Sequence, residues 1–148
     1  MNPSEGIKSD AFSAGEDSEG NELYIGRGYF YETSAPGRLL FEDTVTKSAG
    51  LYVEFRNKEH QVVSDIEYLA LNPACTYRWV ASSSGDIVSN AIEITSVKTS
   101  YIGRKFALGS MHVGKVLLGS RMFFGLDGIG YSTNTYEVLV CDGKNSLN

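Results

Sequence analysis

The amino-acid sequence predicts an all-β fold made of two tandem, pseudo-symmetric antiparallel β repeats packed as one compact domain. Three observations predict it. Sixteen Gly, nine Tyr and seven Phe in 148 residues favour many strands joined by tight turns, because aromatic side chains suit a pleated, half-buried surface and Gly supplies turn conformations. Segments such as Tyr136-Glu137-Val138-Leu139-Val140-Cys141 send alternate side chains to opposite faces, the period of a strand. The third observation is an internal repeat held at a constant offset.

Leu23-Tyr24-Ile25-Gly26-Arg27 reappears as Ser100-Tyr101-Ile102-Gly103-Arg104, 77 positions later, and Pro36-Gly37-Arg38 falls on Val113-Gly114-Lys115 at the same offset. Both copies close on a similar strand, Ile66 to Leu71 and Tyr136 to Cys141, but here the offset is 70. The first copy therefore carries about seven extra residues, which we place at the polar stretch from Glu42 to Gly50, since loops absorb added length cheaply. Each copy reads as an alternating strand into Tyr-Ile-Gly-Arg, a turn at the Gly37-Arg38 or Gly114-Lys115 pair, a short strand, a Gly-containing turn and a final strand. The copies occupy residues 10–71 and 76–141 of a single unit spanning 1–148.

One segment is ambiguous. Val62, Val63, Ile66, Leu69 and Ala70 also fit a helical stripe. Its counterpart, Tyr136 to Cys141, is short and rich in strand formers, which decides for a strand. Leu71-Asn72-Pro73-Ala74 between the copies is too short to separate independent domains.

Composition also excludes function classes. The net charge of −5, with no clustered Lys or Arg, argues against nucleic acid and against anionic membranes as partners. No run of apolar residues is long enough to enter a bilayer as a helix. Met1 to Glu19 is polar and acidic without an apolar signal core, so the expectation is a protein that is cytoplasmic, or secreted without a signal peptide. Cys75 and Cys141 are the only cysteines and lie in no CxxC unit. Two buried thiols in a reduced protein is the plain expectation, and one bridge tying the start of the second repeat to its end is the alternative.

No catalytic site, metal or cofactor is expected. Gly26-Arg27-Gly28 and Gly125-Leu126-Asp127-Gly128-Ile129-Gly130 complete no nucleotide-binding motif. His60 and His112 lie in no HExxH, and there is no GxSxG elbow. The abundant carboxylates read as a solvated surface. Arg27 and Arg104 read as braces for neighbouring loops.

Taken together, Ala14-Gly15-Glu16-Asp17, Leu23-Tyr24-Ile25-Gly26-Arg27, Ala35-Pro36-Gly37-Arg38, Asn57-Lys58-Glu59-His60 and Tyr136-Glu137-Val138-Leu139-Val140 resemble the DM-nine repeat family over essentially the whole chain. The resemblance implies a two-repeat β protein that binds mannose or mannose-containing microbial glycans, acts in innate recognition and forms homodimers. It also implies a sugar site on Asp17 and Arg38, the positions of the family's loop acid and of its Pro-Gly-Lys cation. A carboxylate accepts from vicinal hydroxyls while a cation donates to ring-side oxygens. Glu32, Lys58 and Glu59 are further candidates, with Glu16 nearby and Tyr29 or Tyr31 as a stacking ring. Arg38 departs from the family's Lys, exchanging a compact ammonium for a planar fork. The second copy keeps Lys115 but has no acid in Thr95 to Lys98, so Lys115 marks a pseudo-site. The rival expectation is a stress- or infection-responsive protein-interaction scaffold in which the sugar site has decayed.

Overall fold

Pairs of facing glycines set the geometry of each repeat. In the computed structural model, which describes residues 1–30, 33–94 and 99–143, strand β2 (Glu22–Phe30) pairs with β3 (Thr33–Leu40) so that Gly26 faces Gly37. In the second copy, β8 (Ser100–Ala107) pairs with β9 (Ser110–Leu117) and Gly103 faces Gly114. A Cβ on Gly37 would stand 2.0 Å from the Tyr52 carbonyl oxygen, and one on Gly114 would stand 2.0 Å from that of Phe123. Both glycines are close-approach positions inside strands. The turn expected at Gly37-Arg38 and Gly114-Lys115 is therefore absent, because the chain runs extended through both pairs.

The remaining strands complete two matching meanders. β3 is followed by β4 (Gly50–Phe55) and β5 (Lys58–Val62), and β9 by β10 (Met122–Leu126) and β11 (Ile129–Thr133). Two-residue turns at Arg56-Asn57, Leu108-Gly109 and Asp127-Gly128 all have positive φ at both residues, the backbone that matches the twist of a tight hairpin. The ambiguous segment is strand: β5 ends at Val62, and β6 (Ile66–Tyr68) pairs Tyr68 with Gly26. Its counterpart β12 (Thr135–Gly143) pairs Val138 with Gly103. The extra residues of the first copy lie mostly between β3 and β4. Partners Leu39 and Leu51 are 12 positions apart, whereas Val116 and Met122 are 6 apart.

The two meanders join edge to edge where Ile129 of β11 meets Lys58 of β5. A short strand β1 (Ser13–Glu16) lies on β2, and β7 (Cys75–Ser83) lies on β12. The result is one curled antiparallel sheet, a half-barrel, in the order β1-β2-β3-β4-β5-β11-β10-β9-β8-β12-β7 with β6 beside β2. The curl brings β3 against β9. Leu23, Ile25, Ile94, Ile102, Val113 and Leu139 form an apolar core between the repeats, while Leu39, Leu51 and Val53 sit in one flanking core and Val116, Met122 and Phe124 in the other.

Cys75 and Cys141 are joined in a disulfide, which corrects the expectation of two thiols. The pairing of β7 with β12 explains it: Cys75 faces Gly143 and Tyr77 faces Cys141, so the cysteines are diagonal neighbours with Cα atoms 5.0 Å apart, inside the range a bridge requires. No helix among the described residues is long and apolar enough to cross a membrane.

Candidate functional site

Arg38 faces Ile25 on one side and Tyr52 on the other, so its side chain lies on the face of the sheet turned toward the second repeat. Its guanidinium Nη2 donates to Asp17 Oδ2. Asp17 closes the turn after β1: its Oδ1 accepts from the backbone N–H groups of Glu19 and Asn21, each at 2.9 Å, and its Oδ2 also accepts from the Asn21 amide at 3.3 Å. The turn is fixed to the other repeat by Ser18 N–H, which donates to Ser110 Oγ at 3.0 Å.

Burial works to raise the Asp17 carboxyl, but the hydrogen bonds from Asn21, the Arg38 charge and the Glu19 N–H together hold it below the usual carboxylate value. It is ionised at neutral pH. With four donors on two oxygens and a side chain 3% exposed, Asp17 has no open acceptor, and its geometric effect is to orient Arg38. The Arg38 Nε is buried and has no hydrogen-bond partner, a state that costs about 1–3 kcal/mol for a polar group.

Arg38 opens a polar seam between the repeats. Glu54 and Glu59 face each other across the β4–β5 hairpin, an arrangement of like charges that needs cations. Lys47 reaches Glu59 at 3.2 Å, and Lys115 of the second repeat reaches Glu54 at 3.7 Å. Lys47 also lies 3.8 Å from Asp127 and 4.7 Å from the centre of the Tyr52 ring. Glu59 additionally accepts from Gly128 N–H at 3.3 Å. His112, buried against Phe124 with ring centres 4.6 Å apart, donates from Nε2 to the Ala107 carbonyl at 2.9 Å. Burial first, and then the Arg38 charge, lower its pKa, against the opposing pull of that carbonyl, Glu59 and Asp127. It is neutral at neutral pH.

Asp17 and Arg38 form one pair, Glu59 is paired with Lys47, and Lys115 is paired with Glu54, an acid of the first repeat; the charges of Arg38 and Glu59 both act on His112. Lys58 is exposed and alternates to the opposite face of β5 from Glu59, apart from the seam. Glu16 is exposed at the end of β1. Tyr29 is 71% exposed near the far end of β2, four residues beyond Ile25, or about 13 Å along the strand. Glu32, Tyr31 and Thr95 to Lys98 lie outside the described residues.

Lys47, Glu54, His112 and Asp127 are seam residues to which the sequence assigns no site role, His112 and Asp127 being weighed only for zinc and nucleotide motifs. A signal for one of them, Glu54, was present. Gly125 and Gly130, the counterparts of Glu54 and Glu59, face each other across the β10–β11 hairpin, and a Cβ on Gly125 would stand 2.7 Å from the Glu59 Cβ. Gly125 makes room for the Glu59 side chain, and Gly130 for the backbone of the turn at Asn57. A family model described as the DM9 repeat matches residues 17–123. No curated protein matches the chain.

Proposed function

The chain belongs to the DM9 repeat family, a membership compatible with a carbohydrate-binding role, and from that premise we propose that it is a non-catalytic lectin for mannose or mannose-containing microbial glycans. The observation that carries this reading is Arg38, a largely buried guanidinium held by a saturated Asp17 with its Nε unpartnered, whose charge acts on His112 together with those of Glu59 and Asp127. A hexose presents vicinal hydroxyls that donate and accept at once. Arg38 donates to a sugar oxygen, Glu59 accepts from a neighbouring hydroxyl, and Lys47 and Lys115 hold the two glutamates in place by ion pairing. Asp17 acts through Arg38.

A site of a few hydrogen bonds gives a dissociation constant of about 1 mM, so clustered glycans are held by a homodimer whose linked sites add avidity. The disulfide favours an oxidising compartment, and of the two expected locations we therefore infer secretion. A scaffold with a decayed sugar site is the second reading, favoured by one observation: Arg38 and Lys115 are both already ion-paired within the protein.

The deciding experiment is mannan pull-down of the wild type, Arg38→Ala and Arg38→Lys, each checked by thermal melt. The lectin reading expects retention competed by free mannose, lost in Arg38→Ala and restored at least partly in Arg38→Lys. A folded wild type that no mannose glycan retains overturns it in favour of the scaffold.

A further inference from the structure

Trp79 covers one of two equivalent arginines and leaves the other bare. On β7 it faces Leu139 of β12, its ring lies 4.3 Å from the Arg104 guanidinium carbon, and the Phe12 ring is 6.3 Å away. The repeat carries Arg104 onto Arg27 and Leu139 onto Leu69. It also carries Phe12 onto Ile92, because Phe12 N–H donates to the Leu69 carbonyl at 2.8 Å as Ile92 N–H donates to that of Leu139 at 3.0 Å. Among the described residues no strand of the first copy corresponds to β7, since β6 pairs with β2 alone. The place that Trp79 fills beside Arg104 is beside Arg27 a cavity of about 220 Å³, lined by Arg27, Leu69, Ile92, Ile94, Glu67 and Glu93 among others. Among the described residues no ring lies over Arg27, and its side chain is 43% exposed against 20% for Arg104.

We propose that this cavity binds a free planar aromatic of indole size carrying an N–H or ammonium donor, stacked on Arg27 as Trp79 is on Arg104. The volume suffices, because an apolar cavity of about 150 Å³ already accepts benzene. The contact is a cation over an aromatic face, for which an indole is the best partner. Glu67 neutralises Arg27 through a 2.8 Å bond to Nε, and Arg27 Nη1 is held by the Ile94 carbonyl, so the guanidinium plane is fixed before any ligand arrives. Glu93 lines the cavity and is half-buried, and its carboxylate has no hydrogen-bond or ion-pair partner among the described residues. It supplies the acceptor for the ligand's donor. The site lies outside the Arg38 seam and does not rest on the sugar reading.

The test is titration of the intact, oxidised chain with fluoroindole followed by fluorine NMR, together with methyl shifts of Ile92 and Leu69. Saturable binding with half-saturation at about 1 mM and ring-current shifts at both methyls are expected. Ile92→Phe, which restores the counterpart ring of Phe12, is expected to weaken binding at least about tenfold without lowering the thermal midpoint. Glu93→Gln is expected to weaken tryptamine more than indole. No saturation at several millimolar, or shifts confined to other surfaces such as the exposed Phe106, overturns the proposal. Binding unchanged in both variants overturns it equally.

Discussion

Arg27 and Arg104 each belong to one repeat and grip the other. Arg104 donates from Nε to Glu137 of its own copy at 2.8 Å and from Nη1 to the Ala14 carbonyl of the first copy at 2.8 Å. Arg27 donates from Nε to Glu67, also at 2.8 Å, and from Nη1 to the Ile94 carbonyl of the second copy. The exchange is reciprocal, as across a two-fold axis between identical subunits. It closes the junction on either side of the core shared by Leu23, Ile25, Ile102 and Leu139.

Arg104→Met keeps much of the side chain's packing against Trp79 and deletes both donors. The Ala14 carbonyl loses a charge-assisted bond, a loss of about 1.5–3 kcal/mol. Urea unfolding measures it. Unfolding should remain a single transition with a lower midpoint, since each repeat is too small to stand alone. Two separated transitions would mean that the repeats fold independently and that the braces do not couple them.

The repeat was legible in the sequence because its landmarks are the residues that backbone sterics restrict most. Gly26, Gly37, Gly103 and Gly114 keep their spacing since each pair faces the other across a hairpin, and a side chain at Gly37 or Gly114 would strike the next strand's carbonyl. The same glycines misled the reading of local structure, because Gly beside Arg or Lys resembles a turn when the neighbouring strand is unknown. The Asp17 and Arg38 pair was found through resemblance. The seam around it was not, because Lys47, Glu54 and His112 come together only through the curl that sets β3 against β9. No one-dimensional period records that curl. The disulfide was open for a similar reason, since strand β7 has no counterpart among the described residues of the first copy to reveal its pairing with β12.

The bridge closes a segment with a sequence separation of 66 residues and fastens the edge strand β7 to β12. Cys141→Ser should cost about 2–4 kcal/mol, with the chain-entropy account as one model of its origin. The check is paired thermal melts of wild type with and without reductant against Cys141→Ser. Reduced wild type and the variant should melt alike, both below the oxidised protein. A reduced protein as stable as the oxidised one would mean that the β7–β12 ladder holds this edge unaided.

Buried His112 makes stability sensitive to mild acid. Its folded pKa lies below the ordinary histidine value of 6.5, so between that folded value and pH 6.5 the unfolded chain binds the proton and the folded chain resists it. Stability rises with pH wherever the unfolded state holds more protons. The contribution is therefore fully present above about pH 6.5 and declines as pH falls toward the folded pKa. Denaturant midpoints between pH 7.5 and 5 should decline below 6.5 in the wild type and more shallowly in His112→Gln. A variant that keeps the full wild-type decline would place the sensitivity elsewhere.

Glu59 joins the two readings of the seam. Its side chain is 7% exposed, ion-paired to Lys47 and hydrogen-bonded by Gly128 N–H, so Glu59→Gln leaves a largely buried ammonium without its closest anion. Breaking a buried pair from one side costs about 3–5 kcal/mol, and the 14% exposure of Lys47 puts the expected loss at or below the lower end. Glu59→Gln with Lys47→Met should be less destabilised than the sum of the single changes, because the double variant strands no charge. Sugar retention separates the readings. If Glu59 accepts from a ligand hydroxyl, the double variant regains stability without regaining mannan binding. If binding returns along with stability, Glu59 only supports the fold, and the contact with sugar rests on Arg38.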